Sequence, residues 1–489
     1  MRRRKFCQAA LSAGVLASQP LTLFNAARAD TRIPAVSLDG SAIELENAAV
    51  RELADAMHGF LLLPGAPQYD ISRKIWNRMF DKHPALIARV ANEKDISHAV
   101  SFARERNLLA AIRGGGHSWP GKSVCEGGLM IDLATMNQVE VDTGRSVARV
   151  RGGALLGNVD VATLDKGLVT TCGVVSHTGV GGFTLGGGFG RLNRKYGLAV
   201  DNMLSAEIVT ADGRLRMVSP QDEPDLFWAL RGGGGNFGVV SRFEYQLHPF
   251  SRNVLSGAIT WPISQAREIL KFYSEWYLTL SDDCYVGPTM ATGPDGTPFI
   301  LMEVVYAGDP TMGERELAPL RKRGKPMEDG VKVQDYMVMQ TWEDATFHHG
   351  IRSYAKNGMV KEITPELVNA MVESFVPDPR LAFFTHTSGG AVSRVGELTT
   401  AFPHRNAQTM IIVAGVWTDP AQDEEAMSLS RNWFAQLAPF TGGYYDNIEF
   451  EQKGVAGNYG PAYPRLERVK GQYDPGNLFR LNSNIKPTT

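Results

Sequence analysis

With 489 residues the chain exceeds what one hydrophobic core supports, so two or more domains are expected. Its 50 basic and 52 acidic side chains leave a net charge of −2, which offers no polycationic surface for nucleic acid or an anionic membrane. The 51 glycines concentrate in three runs, so they are local devices rather than low complexity.

The N-terminus reads as a targeting segment. Arg2-Arg3-Arg4-Lys5-Phe6 carries an Arg-Arg-x-Phe pattern, Ala9 to Ala17 is modestly apolar, and Ala27-Arg28-Ala29 is a cleavage site. The paired arginines predict a twin-arginine signal peptide over residues 1–29, with an ordinary secretory signal as the alternative. Its apolar stretch is too short to span a bilayer, so no membrane anchor is expected. The expectation is an exported protein, periplasmic or secreted, with the export machinery as its transient partner. Beyond the signal remain Cys125, Cys172 and Cys284, an odd number that excludes a disulfide-stapled scaffold. No Cys-x-x-Cys or clustered His/Cys pattern predicts a metal site.

Along the chain, Leu86 to Val90 reads as a strand, and Asn92 caps a helix whose apolar face is Ile96, Val100 and Ala103. A strand from Leu109 to Arg113 ends at Gly114-Gly115-Gly116-His117-Ser118-Trp119, and Gly128 to Asp132 resumes the strand pattern. This is a β-α-β unit without the dinucleotide fingerprint, because the glycines are consecutive and no helix pattern follows. Such a turn forms an anion nest that Arg113 would reinforce; a plain glycine-rich connection with a satisfied histidine is the alternative. Ser146 to Arg151 is a further strand, and Leu155 to Lys166 a helix closed by Gly167. The second run extends from Thr178 to Gly190, where glycines alternate with Val180, Phe183, Leu185 and Phe189 and imply backbone lying flat against a large ligand. Leu204 to Thr210 is a strand, and a helix through Asp225 to Leu230 leads into the third run, Gly232 to Gly235.

After Phe250 the glycine runs cease. Strands at Phe299–Tyr306, Phe383–Thr387 and Met410–Thr418 alternate with helices at Ile263–Leu280, Glu366–Ser374 and Glu424–Leu437. An antiparallel sheet backed by helices is the natural assembly. The tail holds a helix from Tyr463 to Tyr473. The organisation expected is 30–250 as a cofactor-binding domain, 251–445 as a substrate domain and 446–489 as a segment returning to the first.

Three separate runs in one domain imply a long cofactor cradled along its length. The motifs Arg113-Gly-Gly-Gly-His117-Ser118, Thr178-Gly-Val-Gly-Gly-Phe-Thr-Leu-Gly-Gly-Gly-Phe-Gly190, Lys195-Tyr-Gly-Leu-Ala-Val-Asp-Asn202, Phe227-Trp-Ala-Leu-Arg-Gly-Gly-Gly-Gly-Asn-Phe-Gly238 and Tyr473-Asp-Pro-x-Asn-Leu-Phe-Arg480 occur in that order, followed by Asn482-x-Asn484-Ile485. In this combination the chain resembles the FAD-linked oxidases of the berberine bridge enzyme-like group, within the vanillyl-alcohol oxidase superfamily. The resemblance implies an α+β fold: a PCMH-type FAD-binding domain of two α/β subdomains, plus the substrate domain.

It also implies FAD bound covalently from His117 to the flavin 8-methyl carbon, a bond that raises the redox potential while the cofactor carries the chemistry. Cofactor contacts are implied for Arg113, Gly114, Gly115, Gly116, His117, Ser118, Val175, Thr178, Gly179, Gly182, Gly187, Val240 and Asn482. Some members make a second bond from a cysteine; its place is Val175 here, and Cys172 lies three residues earlier, so a single bond is expected. Tyr445-Asp446-Asn447 matches a Tyr-x-Asn segment that supplies residues over the flavin, which makes Tyr445 the candidate base, with Tyr459 a second candidate from the tail. His177 lies beside the second run. Of His348, His349, Lys356, His386, His404 and Arg405, at least one is expected in the substrate pocket. The implied activity is oxidation of an alcohol or amine carbon of a small organic molecule, with O2 as acceptor and H2O2 as product. A dehydrogenase with another acceptor and a flavin carrier without turnover are the alternatives. A single link favours smaller aromatic or alicyclic substrates over oligosaccharides.

Overall fold

The computed structural model describes residues 32–451 and 454–488. The signal-peptide expectation, 1–29, lies outside the described residues. Among them, no helix is long and apolar enough to cross a membrane.

Three larger sheets carry the fold. The first orders Phe60–Leu62, Leu86–Arg89, Leu129–Asp132 and Ala110–Arg113, the last three mutually parallel. Leu129–Asp132 is buried at every residue because it is central and covered on both faces. The helix Glu93–Glu105 crosses over as expected: Asn92 accepts from the Asp95 N–H, and Ile96, Val100 and Ala103 are fully buried. The second sheet is antiparallel throughout, in the order Leu215–Val218, Met203–Val209, Val239–Gln246, Val147–Arg151 and Val139–Asp142. Its core takes in the helices Leu156–Leu164, Pro224–Leu230 and Tyr463–Tyr473.

The third sheet begins at Asn253 and is antiparallel, with Cys284–Thr292 and Pro298–Tyr306 at its centre and Arg352–Val360 at one edge. Helices Ala266–Trp276, Pro365–Glu373 and Asp423–Leu437 bury Leu270, Leu367 and Trp433 in the same cluster as Phe383 and Val413. All three therefore back one face. The opposite face carries Phe384, His386, Met410 and Ile412, and packs toward the glycine-rich half of the chain. Strand alternation produces this division: within Leu381–Thr387, residues 383 and 385 point one way and 384 and 386 the other. The resulting α+β architecture is the one expected from sequence.

The helix expected over Ile263–Leu280 is α-helical only at Ala266–Trp276, with a 3₁₀ turn at each end. The tail ties two cores together. Leu478 and Phe479 enter the core of the first sheet, and Ile485 that of the second. The buried Lys470 fixes the path, donating to Asp474 at 2.6 Å, to the Phe479 carbonyl at 3.1 Å and to the Asn236 carbonyl at 2.7 Å.

Candidate active site

Ala110–Arg113 ends at the first glycine run, and the absence of side chains lets that run touch the second. A Cβ on Gly115 would lie 2.4 Å from the Gly179 Cα, a backbone atom that has no way to yield. Gly116 has φ +70°, and its carbonyl accepts from the Trp76 N–H. Replacing Gly115 by alanine is expected to cost about 1–3 kcal/mol by overpacking and to lower retained cofactor; the melting temperature and the flavin-to-protein ratio of the purified protein read both.

The second run departs from the flat backbone expected of it. Val180–Leu185 is one short α-helix, and positive φ appears only beyond it, at Gly187 and Gly188. The Leu185 carbonyl then accepts the N–H groups of Gly232 and Gly234, which draws the third run alongside the second. Asn482 donates to the Gly235 carbonyl at 2.9 Å, bringing the tail into the same place.

All three runs line one cleft of about 1730 Å³ of atom-free space, its mouth included. Gly114, Gly115, Gly116, His117, Ser118, Val175, Thr178, Gly179, Gly182, Val240 and Asn482 are all at its wall, as are Tyr445 and Tyr459. Arg113 and Gly187 are not. The Arg113 guanidinium is engaged at 2.9 Å by Asp132, a wholly buried carboxylate, and so is turned onto the sheet rather than into the cleft. Gly187 leaves room for Phe402 and Tyr445, which a Cβ would meet at 2.9 and 3.5 Å.

His117 stacks on Trp76, with ring centroids 4.3 Å apart and an interplanar angle of 17°, and Trp76 is itself held by its indole N–H on the Phe347 carbonyl. Burial first, then the neighbouring His177, pulls the His117 pKa down to about 3. The imidazole is neutral, and its buried Nε2 has no hydrogen-bond partner. Val175 lies in the small cluster around Trp76 and Phe347. Cys172 does not reach the wall: its thiol bonds Asp160, and burial raises its pKa well above the ordinary range. Cys172→Ser is accordingly expected to leave the flavin content of the purified protein unchanged.

The two tyrosines expected as bases are both buried on the cleft wall, with their hydroxyls already bonded within the protein. The Tyr445 hydroxyl accepts from the Gly188 N–H at 3.1 Å and from Asn447 Nδ2 at 2.8 Å, and burial pushes its pKa up to about 12. The Tyr459 hydroxyl donates to Asp446 at 2.5 Å, and burial followed by that carboxylate raises its pKa further. Neither phenol gives up its proton readily.

Of the polar residues expected from the substrate domain, only His386 lines the cleft. Lys356 pairs with Glu449 at 3.0 Å, His404 contacts Asn458, and Arg405 makes a bidentate pair with Asp201. His177 stands behind His117 and next to His349, off the wall. His386 sits between the rings of Phe189 and Phe384, and burial with Arg191 nearby lowers its pKa to about 4. Its Nδ1 is buried and partnerless. Around it Phe189, Phe347, Phe384, Trp119 and Tyr445 form an aromatic wall. In sequence His386 is one of six undistinguished polar residues, although the alternation in Phe383-Phe384-Thr385-His386 places it on the face of Phe384. Lys122 also lines the cleft and was not singled out.

A glycine-lined cleft facing an aromatic pocket is the architecture of an enzyme that lays a long planar cofactor against a small substrate. Residues 84–219 match the family signature described as an FAD binding domain, and 445–486 that described as berberine and berberine like. The chain is 32% identical over 454 residues to (R)-6-hydroxynicotine oxidase of Paenarthrobacter nicotinovorans, covering 88% of this chain and 97% of that one. The solved structure of 6-hydroxy-D-nicotine oxidase from Arthrobacter nicotinovorans superposes with a TM-score of 0.82 at 30% identity, covering 88% of this chain and 98% of that one. Physcomitrella patens BBE-like 1 shares the fold with a TM-score of 0.83 at 22% identity, over 90% and 99% of the two chains. The chain is an FAD-linked oxidoreductase. It belongs to the berberine bridge enzyme-like family. Its residues fit FAD: a cradle that Cβ atoms would fill, the partnerless His117 Nε2, and the buried, partnerless hydroxyl of Ser123 on the wall.

Proposed function

We propose that this protein is an exported oxidase that takes hydride from an alcohol or amine carbon of a small aromatic or alicyclic molecule. The observation that carries this reading is a cleft lined by three glycine runs and closed by an aromatic wall, with the neutral imidazoles of His117 and His386 each lacking a partner at one ring nitrogen. His117 would hold FAD covalently; the cofactor, when bound, would supply the hydride acceptor, with O2 as its oxidant and H2O2 as the product. The neutral His117 side chain is a competent nucleophile for the attachment, and Trp76 fixes its ring plane.

The aromatic wall takes an apolar ring and excludes water from it. His386 accepts at Nδ1 the proton of the substrate O–H or N–H as hydride leaves the neighbouring carbon. Export is supported by the paired arginines ahead of Phe6 and by Ala27-Arg28-Ala29. The substrate class is also supported by the hydroxynicotine oxidase relative, whose name states a small heteroaromatic amine. Anaerobic mixing with cyclic amines, aromatic alcohols, hydroxy acids and sugars tests the reading. Bleaching of the flavin by an amine or aromatic alcohol, with peroxide formed in air, is expected. Bleaching by sugars alone would contradict it.

A further inference from the structure

One charged pair on the cleft wall has no part in the chemistry described so far. Lys122 and Asp446 both line the cleft. The Asp446 carboxylate is well supplied with donors: the Tyr459 hydroxyl at 2.5 Å, the Ser483 hydroxyl at 3.0 Å and Asn458 Nδ2 at 3.4 Å. Lys122 is not. Its Nζ makes one long contact, 3.5 Å to the Ser483 hydroxyl, and an ammonium has three donors to place. Burial lowers its pKa, and Asp446 and then Glu449 act in the opposite direction. Glu449 is already engaged by Lys356, which leaves Asp446 as the principal counter-charge.

The position selects the part of the cofactor that meets this ammonium. Asp446 is flanked by Tyr445 and Asn447, which bond the second glycine run at Gly188 and Gly182. Tyr445 stands edge-on to Phe189, 5.3 Å away, and Phe189 faces His386. Asp446 thus adjoins the substrate wall, and Lys122 is joined to it through the shared Ser483 hydroxyl, on the side of the cleft that would take the reactive ring. A carboxylate beside the lysine also makes the pair a poor partner for a doubly charged diphosphate.

Resting on the FAD reading above, we propose that Lys122 stabilises the charge the flavin ring gains on reduction, with Asp446 as the counter-charge that limits its effect. The substrate C–H bond breaks, and its hydrogen and both electrons reach the ring as hydride. The O–H or N–H proton goes to His386. FAD, when bound, would thereby gain one negative charge, and the Lys122 ammonium on the wall would favour that state.

The test compares the wild-type holoenzyme with Lys122→Met, Lys122→Arg and Asp446→Asn. Retained flavin is read from visible absorbance, the midpoint potential by equilibration with a redox dye, and the electrophilicity of the ring from the dissociation constant of sulfite. Lys122→Met is expected to shift the two-electron equilibrium against reduction by about tenfold, a fall of about 30 mV, and to weaken sulfite binding in parallel. Lys122→Arg keeps the charge and is expected to stay within about threefold of wild type. Asp446→Asn removes a negative charge and is expected to tighten sulfite binding. These opposite signs are not produced by a merely structural pair.

An unchanged potential in flavin-replete Lys122→Met overturns the proposal. So do losses of the same sign in all three variants, and so does loss of flavin in Lys122→Met with an unaltered potential in the other two. If Lys122→Met fails to fold, Asp446→Asn decides alone: tighter sulfite binding supports the proposal and unchanged binding overturns it. A wild-type protein that carries no flavin would defeat the FAD reading itself, a separate result.

Discussion

Replacing His386 by alanine is expected to slow anaerobic flavin reduction by about 10²–10⁴-fold, the usual contribution of a positioned proton acceptor, while covalent flavin is retained. The expectation follows from where the strand Leu381–Thr387 puts the ring. Phe383 is committed to the core beneath the sheet, so the alternate residues Phe384 and His386 must face the cleft. There the imidazole is flanked by apolar rings and its Nδ1 has no protein partner. A buried polar atom without a protein partner, on a residue of the cleft wall, is suited to a proton that only the substrate brings.

The pH dependence has a definite sign. Burial first and Arg191 second hold the His386 pKa near 4, below the ordinary imidazole value. The base is therefore neutral and competent above that value, and is lost as pH falls through about 4. Reduction of a substrate that does not itself titrate should be flat near neutrality and decline only on the acid side. Stopped-flow reduction across pH reads both effects, and an unchanged rate in the alanine variant would remove His386 from the chemistry.

His117→Ala is expected to abolish acid-stable flavin altogether. Trichloroacetic acid should precipitate wild-type protein as a yellow pellet and the variant as a colourless one, with the flavin left in the supernatant. The effect is all-or-none because Cys172, the other nucleophile near the second glycine run, is buried and bonded to Asp160, and Val175 occupies the expected place of a second anchor. Noncovalent FAD should persist in part, since the glycine cradle is unchanged. A yellow variant pellet would point to another attachment residue.

The parts of this molecule read correctly from sequence are those whose cause is local. The helix Glu93–Glu105 announces itself through Asn92 and the spacing of Ile96, Val100 and Ala103. The glycine runs show that backbone approaches something closely, and the cleft gathers all three. Among the strands not read from sequence, Asn253–Pro262 and Cys284–Thr292 have helices on one face and the FAD-binding half on the other, so their polarity does not alternate cleanly. Gly257, Gly287 and Pro288 within them read as breaks. The helix Val180–Leu185 was hidden by glycines that carry low helix propensity.

At the site, sequence motifs single out the cleft-wall residues His117 and Tyr445, but not His386 or Lys122. His117 sits in a motif, whereas the roles of His386, Tyr445 and Lys122 depend on partners far along the chain. Tyr445 sits in a motif too, but its pKa is fixed by burial and by the Gly188 N–H, 257 residues away. The Tyr445 phenol, a candidate base from sequence, also ties the segment before the tail to the second glycine run. The same long-range assembly leaves Arg113 on Asp132 rather than in the cleft.

The claim on which the rest depends is that His117 carries the cofactor. Trypsin cuts after Arg113 and Lys122, so the residue lies in the peptide Gly114–Lys122. Mass spectrometry of a digest of purified wild-type protein should find that peptide bearing one flavin adduct, with fragmentation placing the added mass on His117. An unmodified Gly114–Lys122 peptide from flavin-replete protein, or flavin mass on the peptide that contains Cys172, would contradict the account.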